Sequence, residues 1–266
     1  MRLLKLAALC SAVLAFANPG GSRGRSQSEA KRIPVLVELF TSEGCSSCPP
    51  ADTFLAQLEK EQPIAGSEII ALEEHVDYWD HQGWNDPYSS ADWTARQVVY
   101  VDHLKENSSY TPQIVVDGQH SVIGGREREI LQAIMDASRG PRAGVSLTEE
   151  SGTAGPVNLR VRVGKFTATP GDLPEVWLAV AERNLSSSVT GGENAGKELR
   201  HSAVLRSLKK LGAATAPGES SYEGAAAIKL KREWKRENLE WIAFVQEKKS
   251  RKVLGAAALK SAAYAQ

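Results

Sequence analysis

Hydrophobic and polar positions alternate along this chain with a period that changes several times, and the changes mark out its elements. Val35 to Phe40 is a nearly unbroken apolar run, the pattern of a strand buried on both faces, with Glu38 as its one charge. Residues 50–61 place Phe54, Leu55 and Leu58 on one stripe of a helix, and residues 69–76 read as a second strand. Residues 91–105 form a helix, 114–116 and 121–123 a hairpin turned by Asp117-Gly118, and 126–137 a third helix. The predicted order is β-α-β-α-β-β-α.

Past residue 143 the period shortens to two. Val157 to Val163 alternates as Val-Asn-Leu-Arg-Val-Arg-Val, and 176–181, 242–245 and 253–257 supply further apolar segments. Pro170-Gly171-Asp172, Gly191-Gly192 and Pro217-Gly218 are turn signals between them. Short strands without long intervening helices predict an all-β unit over 143–262, arranged as a β-sandwich. Its polar stretch from Gly192 to His201 reads as a long connection or a recognition loop, and the basic run 229–236 as a solvated face anchored by Trp234.

The N-terminus carries a targeting pattern. Arg2 and Lys5 precede an apolar stretch from Leu6 to Phe16 that is too short to span a bilayer, and Ala15-Phe16-Ala17 fits a small-x-small cleavage site. Residues 1–17 are therefore expected to be a signal peptide cleaved after Ala17. Residues 18–32 form a flexible leader, and the mature chain is periplasmic or secreted with no stable membrane anchor. Lys plus Arg and Asp plus Glu number 32 each, so no overall field favours nucleic acid.

Of three cysteines, Cys10 leaves with the signal, and the mature chain keeps Cys45 and Cys48 in Cys-Ser-Ser-Cys. The pair lies between the first strand and a Pro49-Pro50 start of helix, where unpaired N–H groups favour a thiolate. A purely structural disulfide closing so small a ring contributes roughly 2 kcal/mol before strain, little for a chain of this size. Redox chemistry is the reading preferred over metal binding and structural cross-linking.

The element order and the C-x-x-C position resemble the thioredoxin superfamily. The segments Phe40 to Asp52, His75 to Asp80 with Gly83-Trp84 and Asp86-Pro87, Arg96-Gln97 and Tyr110 to Gln113 resemble, more narrowly, exported bacterial thioredoxin-like proteins classed as a domain of unknown function. The resemblance covers 33–137 and implies a thioredoxin-like α/β domain over 33–140, followed by the β domain. It implies that Pro112, after Thr111, is a cis-proline facing the cysteines, and that Glu38 is a buried acid able to move the proton of Cys48. Cys45 is then the attacking thiol and Cys48 the resolving one, with Ser46, Ser47, Thr111, Trp79 and Trp84 facing the substrate.

The expected function is thiol–disulfide exchange with protein thiols or disulfides, or with small-molecule disulfides. A redox partner protein is expected, and no cofactor beyond the Cys45–Cys48 disulfide. The alternative is a non-catalytic partner-binding or soft-metal module in which Cys45, Cys48 and His75 hold an ion such as Cu(I). A weaker metal set can be drawn from His75, Asp77 and His81.

Overall fold

The apolar runs become strands of one large sheet. In the computed structural model, which describes residues 32–150, 156–214 and 220–262, β1 (Ile33–Thr41), α1 (Pro49–Glu61), β2 (Ser67–His75), α2 (Ala91–Leu104), β3 (Gln113–Val116), β4 (His120–Ile123) and α3 (Glu127–Ala137) follow the expected order. Then come β5 (Val145–Glu150), β6 (Val157–Phe166), β7 (Pro174–Glu182), β8 (Leu185–Ser188), β9 (Glu198–His201), β10 (Val204–Ala213), β11 (Ser220–Ile228), β12 (Leu239–Glu247) and β13 (Val253–Lys260). The expected signal peptide, its Ala17 cleavage site, Cys10, the leader up to residue 31 and the Pro217-Gly218 turn lie outside the described residues.

Among the described residues the architecture is β-rich, with a mixed eight-stranded sheet and three α-helices. The sheet order is β13-β12-β7-β10-β2-β1-β3-β4, so strands from both sides of residue 143 share it. β1 runs parallel to β2 and antiparallel to β3, and β10 joins β2 in parallel where Val204 meets Glu73. β11, β6 and β5 form a second sheet, and β8 pairs with β9.

Strand alternation decides what each face holds. Val35, Val37 and Leu39 pack with Ala51, Leu55 and Leu58 of α1 and with Ile130 and Ile134 of α3. On the same side of the sheet, Val176, Leu178, Val180 and Trp241 meet Leu159 and Val161 of the small sheet. The other face carries Leu36, Ile70, Leu72, Ala179 and Phe244 against Trp93 of α2. Each fully buried aliphatic side chain contributes roughly 1.5–3 kcal/mol, so both faces must be covered. Among the described residues no helix is long and apolar enough to cross a membrane.

The same alternation sorts the charges of β2 and β1. Glu73 and His75 continue the Ile69 and Ala71 face toward α1, whereas Glu74, together with Glu38 of β1, faces α2.

Candidate redox and polar site at the start of α1

Cys48 is the N-cap of α1, and Pro49 and Pro50 open its first turn. The preceding turn is tightened by Cys45 N–H on Ser42 O at 3.2 Å and Cys48 N–H on Cys45 O at 3.2 Å. Cys45 and Cys48 form a disulfide with Cα atoms 5.5 Å apart. Both cysteines are fully buried, while Ser46 and Ser47 between them are exposed. Ser47 Oγ lies 3.3 Å from Cys45 Sγ.

Residues expected to face a substrate gather around this loop. Trp79 packs on Gly44, where an added Cβ would lie 3.0 Å from Trp79 Cβ, and Trp79 Nε1 donates to Thr111 Oγ1 at 2.8 Å. The Thr111–Pro112 peptide is cis. Gly124 fits between Pro112 and Ala51 of α1. A Cβ there would come within 2.7 Å of the proline Cβ and 2.8 Å of the alanine Cβ, so Pro112 is held beside the cysteine helix. Trp84 Nε1 donates to Glu43 Oε2 at 2.9 Å.

A strap from the C-terminal half crosses the same loop. The short turn Gly192–Asn194 brings buried Asn194 to Glu43 O and Cys45 O, to which its Nδ2 donates at 2.8 and 3.0 Å. Glu193 Oε2 accepts from Ser46 N–H at 3.0 Å, a contact that holds its carboxyl below the usual range. The strap rests on the 82–84 loop so closely that a Cβ on Gly191 would lie 2.2 Å from Gly83 O.

Below the loop lies a buried cluster built from three separate segments. His75 Nδ1 donates to Asp86 Oδ2 at 2.7 Å, and the same oxygen accepts from Glu43 N–H at 2.8 Å. His201, at the end of β9, places Nε2 3.0 Å from Glu43 Oε1. Ser202 N–H and Oγ donate to Glu73 Oε1 at 3.1 and 3.0 Å. Glu73 Oε2 is 3.3 Å from His201 Nδ1 and 3.9 Å from His75 Nε2, within ion-pair range, yet all three atoms lack a hydrogen-bond partner.

Charge sets the titration here. Burial works against a charged His75, but the Asp86 carboxylate outweighs it and lifts the ring to about 9. Burial likewise opposes a charged His201, and Glu43 and Glu73 lift it well above its ordinary value. Burial would raise Glu73, but the two histidines hold it at about 2. Asp52, on α1 one turn past Cys48, accepts from Thr41 Oγ1 at 2.6 Å, and burial, aided by the Glu73 charge, pushes it up to about 7.

Glu38 is not brought to the cysteines. It sits on the α2 face, where Arg96 Nε donates to its Oε1 at 2.7 Å and Tyr100 OH to its Oε2 at 2.6 Å. Gln246 Nε2 completes the cluster on Tyr100 OH at 2.8 Å, and burial keeps neighbouring Glu74 well above the carboxylate range. The buried carboxyl on the cysteine helix is Asp52.

Nor do His75, Asp77 and His81 converge: Asp77 accepts from Thr94 Oγ1 at 2.6 Å, and His81 is exposed. Among the described residues, the group whose ligand atoms could surround one ion is Glu73, His75 and His201, with all three atoms within 4.8 Å of one another. Cys45 and Cys48 are outside it. Glu43, Glu73, Glu193, Asn194 and His201 are site residues that the expectations from sequence did not include. The available signal was the polar stretch from Gly192 to His201, which is a set of contacts to the cysteine loop rather than a plain connection.

Residues 36–246 match the profile of a family described as "Protein of unknown function (DUF1223)". No curated protein matches the sequence. The fold is similar to that of a protein from Agrobacterium tumefaciens solved by X-ray crystallography. The two are 25% identical with a TM-score of 0.63, over 86% of this chain and 94% of that one. It is also similar to HBP35 of Porphyromonas gingivalis, with 16% identity and a TM-score of 0.67 over 86% of this chain and 76% of that one.

Proposed function

Because the chain belongs to the DUF1223 family of proteins of unknown function, we propose its activity from its own residues: it is an exported thiol–disulfide oxidoreductase. The observation that carries this reading is the disulfide across the first turn of α1, with exposed Ser46 and Ser47 at its tip and Pro112 packed beside the same turn. Residues 33–140 act as a thioredoxin-like unit whose sheet is extended by the β-rich C-terminal half.

In the exchange, a partner thiolate attacks one sulfur of the Cys45–Cys48 bond, forming a mixed disulfide with Cys45 and releasing Cys48 as a thiolate. A second partner thiolate then displaces Cys45, so the partner is oxidised by two electrons and the cysteine pair reduced. Run in reverse, Cys45 attacks a partner disulfide and Cys48 resolves it. Asp52, at i+4 from Cys48 and so about one helical turn away, takes the proton role that the resemblance implies for Glu38. Pro112, Thr111 and Trp79 bound the surface on which the partner chain lies.

The sulfurs are buried, so attack requires the Glu193–Asn194 strap to lift from the loop. An oxidising compartment outside the cytoplasm suits a chain whose mature form carries this pair alone. Partners are protein thiols or disulfides, and the redox-active disulfide is the only group required. Turnover of a protein disulfide tests the reading: Cys45→Ala abolishes it, and Cys48→Ala accumulates mixed disulfides. Turnover unchanged by Cys45→Ala would refute it.

A further inference from the structure

The three orphaned atoms below the cysteine loop do not enter the exchange just described. His75 Nε2, His201 Nδ1 and Glu73 Oε2 belong to side chains that are essentially inaccessible, and they point at one another without making a hydrogen bond. A buried polar atom left without a partner costs on the order of 1–3 kcal/mol, and three facing one point need an explanation.

We propose that Glu73, His75 and His201 form a binding site for a single divalent first-row transition ion, of which Zn(II) is the natural probe. Two imidazoles and one carboxylate, with a position left open, are a three-ligand set that zinc accepts. Bonds of about 2.0–2.1 Å in a tetrahedral site place ligand atoms roughly 3.3 Å apart. The His201–Glu73 separation is 3.3 Å, and the His75–Glu73 separation of 3.9 Å needs only a small closure.

The surroundings match what such ligands require. Each histidine turns its other nitrogen to a carboxylate, His75 Nδ1 to Asp86 at 2.7 Å and His201 Nε2 to Glu43 at 3.0 Å. In the neutral rings that an ion would bind, that pairing selects the tautomer that turns the lone pair of His75 Nε2 and of His201 Nδ1 to the centre. Ser202 holds the other oxygen of Glu73 with two hydrogen bonds, leaving Oε2 free. The half-buried Tyr88 ring packs in T-shaped geometry on both imidazoles, at 5.4 and 5.5 Å between centroids.

The test is a Zn(II) titration of the full chain in its oxidised form, against a chromophoric chelator. With Cys45 and Cys48 locked in the disulfide, neither can ligate as a thiolate, so the result is independent of the redox reading. Wild type should take up one equivalent. His201→Asn and Glu73→Gln should weaken binding by about 100-fold or more, and Asp86→Asn by roughly 10–100-fold. X-ray absorption of the loaded wild type should show imidazole and oxygen ligands only. No tight site in the wild type, undiminished binding in the folded variants, or sulfur in the coordination shell would each overturn the proposal.

Discussion

Asn194 donates to the carbonyl oxygen of Cys45 at 3.0 Å across 149 residues of sequence, tying the C-terminal half directly to the disulfide loop. Removing that amide takes the Asn194 donor from Glu43 O and leaves Cys45 O only its bond from Cys48 N–H, which loosens the strap over the sulfurs. Asn194→Ala should therefore speed reduction of the disulfide by dithiothreitol several-fold, as measured by timed thiol trapping. An unchanged rate would mean that the strap is not the cover.

Glu193 places a negative charge on the Ser46 N–H, at the helix end that would otherwise stabilise a thiolate. In Glu193→Gln the reduced pair should be favoured by about twofold in a glutathione equilibrium at low ionic strength, and less at 0.15 M salt because the carboxylate is exposed. A shift toward the oxidised form would contradict this electrostatic role.

Arg96 is the cation between Glu38 and Glu74 on the α2 face. Arg96→Met leaves buried carboxyls without it and should lower unfolding stability by about 3 kcal/mol or more in urea titration. Glu38→Gln should leave exchange turnover close to wild type, because Glu38 is held away from the cysteines. A large loss of turnover in the folded variant would return Glu38 to the exchange mechanism.

Glu59 of α1 and Glu240 of β12 share Arg183, joining the cysteine helix to the C-terminal half. Burial outweighs the arginine and, with the Glu240 charge, pushes Glu59 up to about 7 from 4.5. A carboxyl raised on folding binds its proton more tightly in the native state. The stability it contributes is thus complete below pH 4.5 and lost as the pH rises through 7. Between pH 5 and 8, wild type should lose up to about 3 kcal/mol relative to Glu59→Gln. Parallel pH profiles for the two proteins would refute the assignment.

The first half of the fold was legible because its periods are local: the apolar run of β1, the stripe of α1 and the Asp117-Gly118 turn each announce themselves within a few residues. β10 did not. Its pairing with β7 slips between Leu205 and Ser207 and again between Lys210 and Gly212, and these irregularities erase the period-two signal. The sharing of one sheet across residue 143 rests on the single β10–β2 pairing at Val204, which no local pattern encodes. For the same reason the cysteines were readable as a site, whereas Glu43, Glu73 and His201 were not: each looks ordinary in its own segment, and only the tertiary fold brings them together. Alternation does place Glu38 with Leu36 and Phe40, but which helix covers that face is decided by packing.

The central claim is that Cys45 and Cys48 exchange electrons with external thiols. The most direct test is equilibration of the folded protein with glutathione buffers spanning the reduced and oxidised extremes, followed by thiol alkylation and intact-mass measurement. The account predicts a reversible two-electron transition within that range, with the Cys48→Ala variant carrying glutathione on Cys45. A pair that stays oxidised in fully reducing glutathione, with no mixed disulfide in the variant, would contradict it.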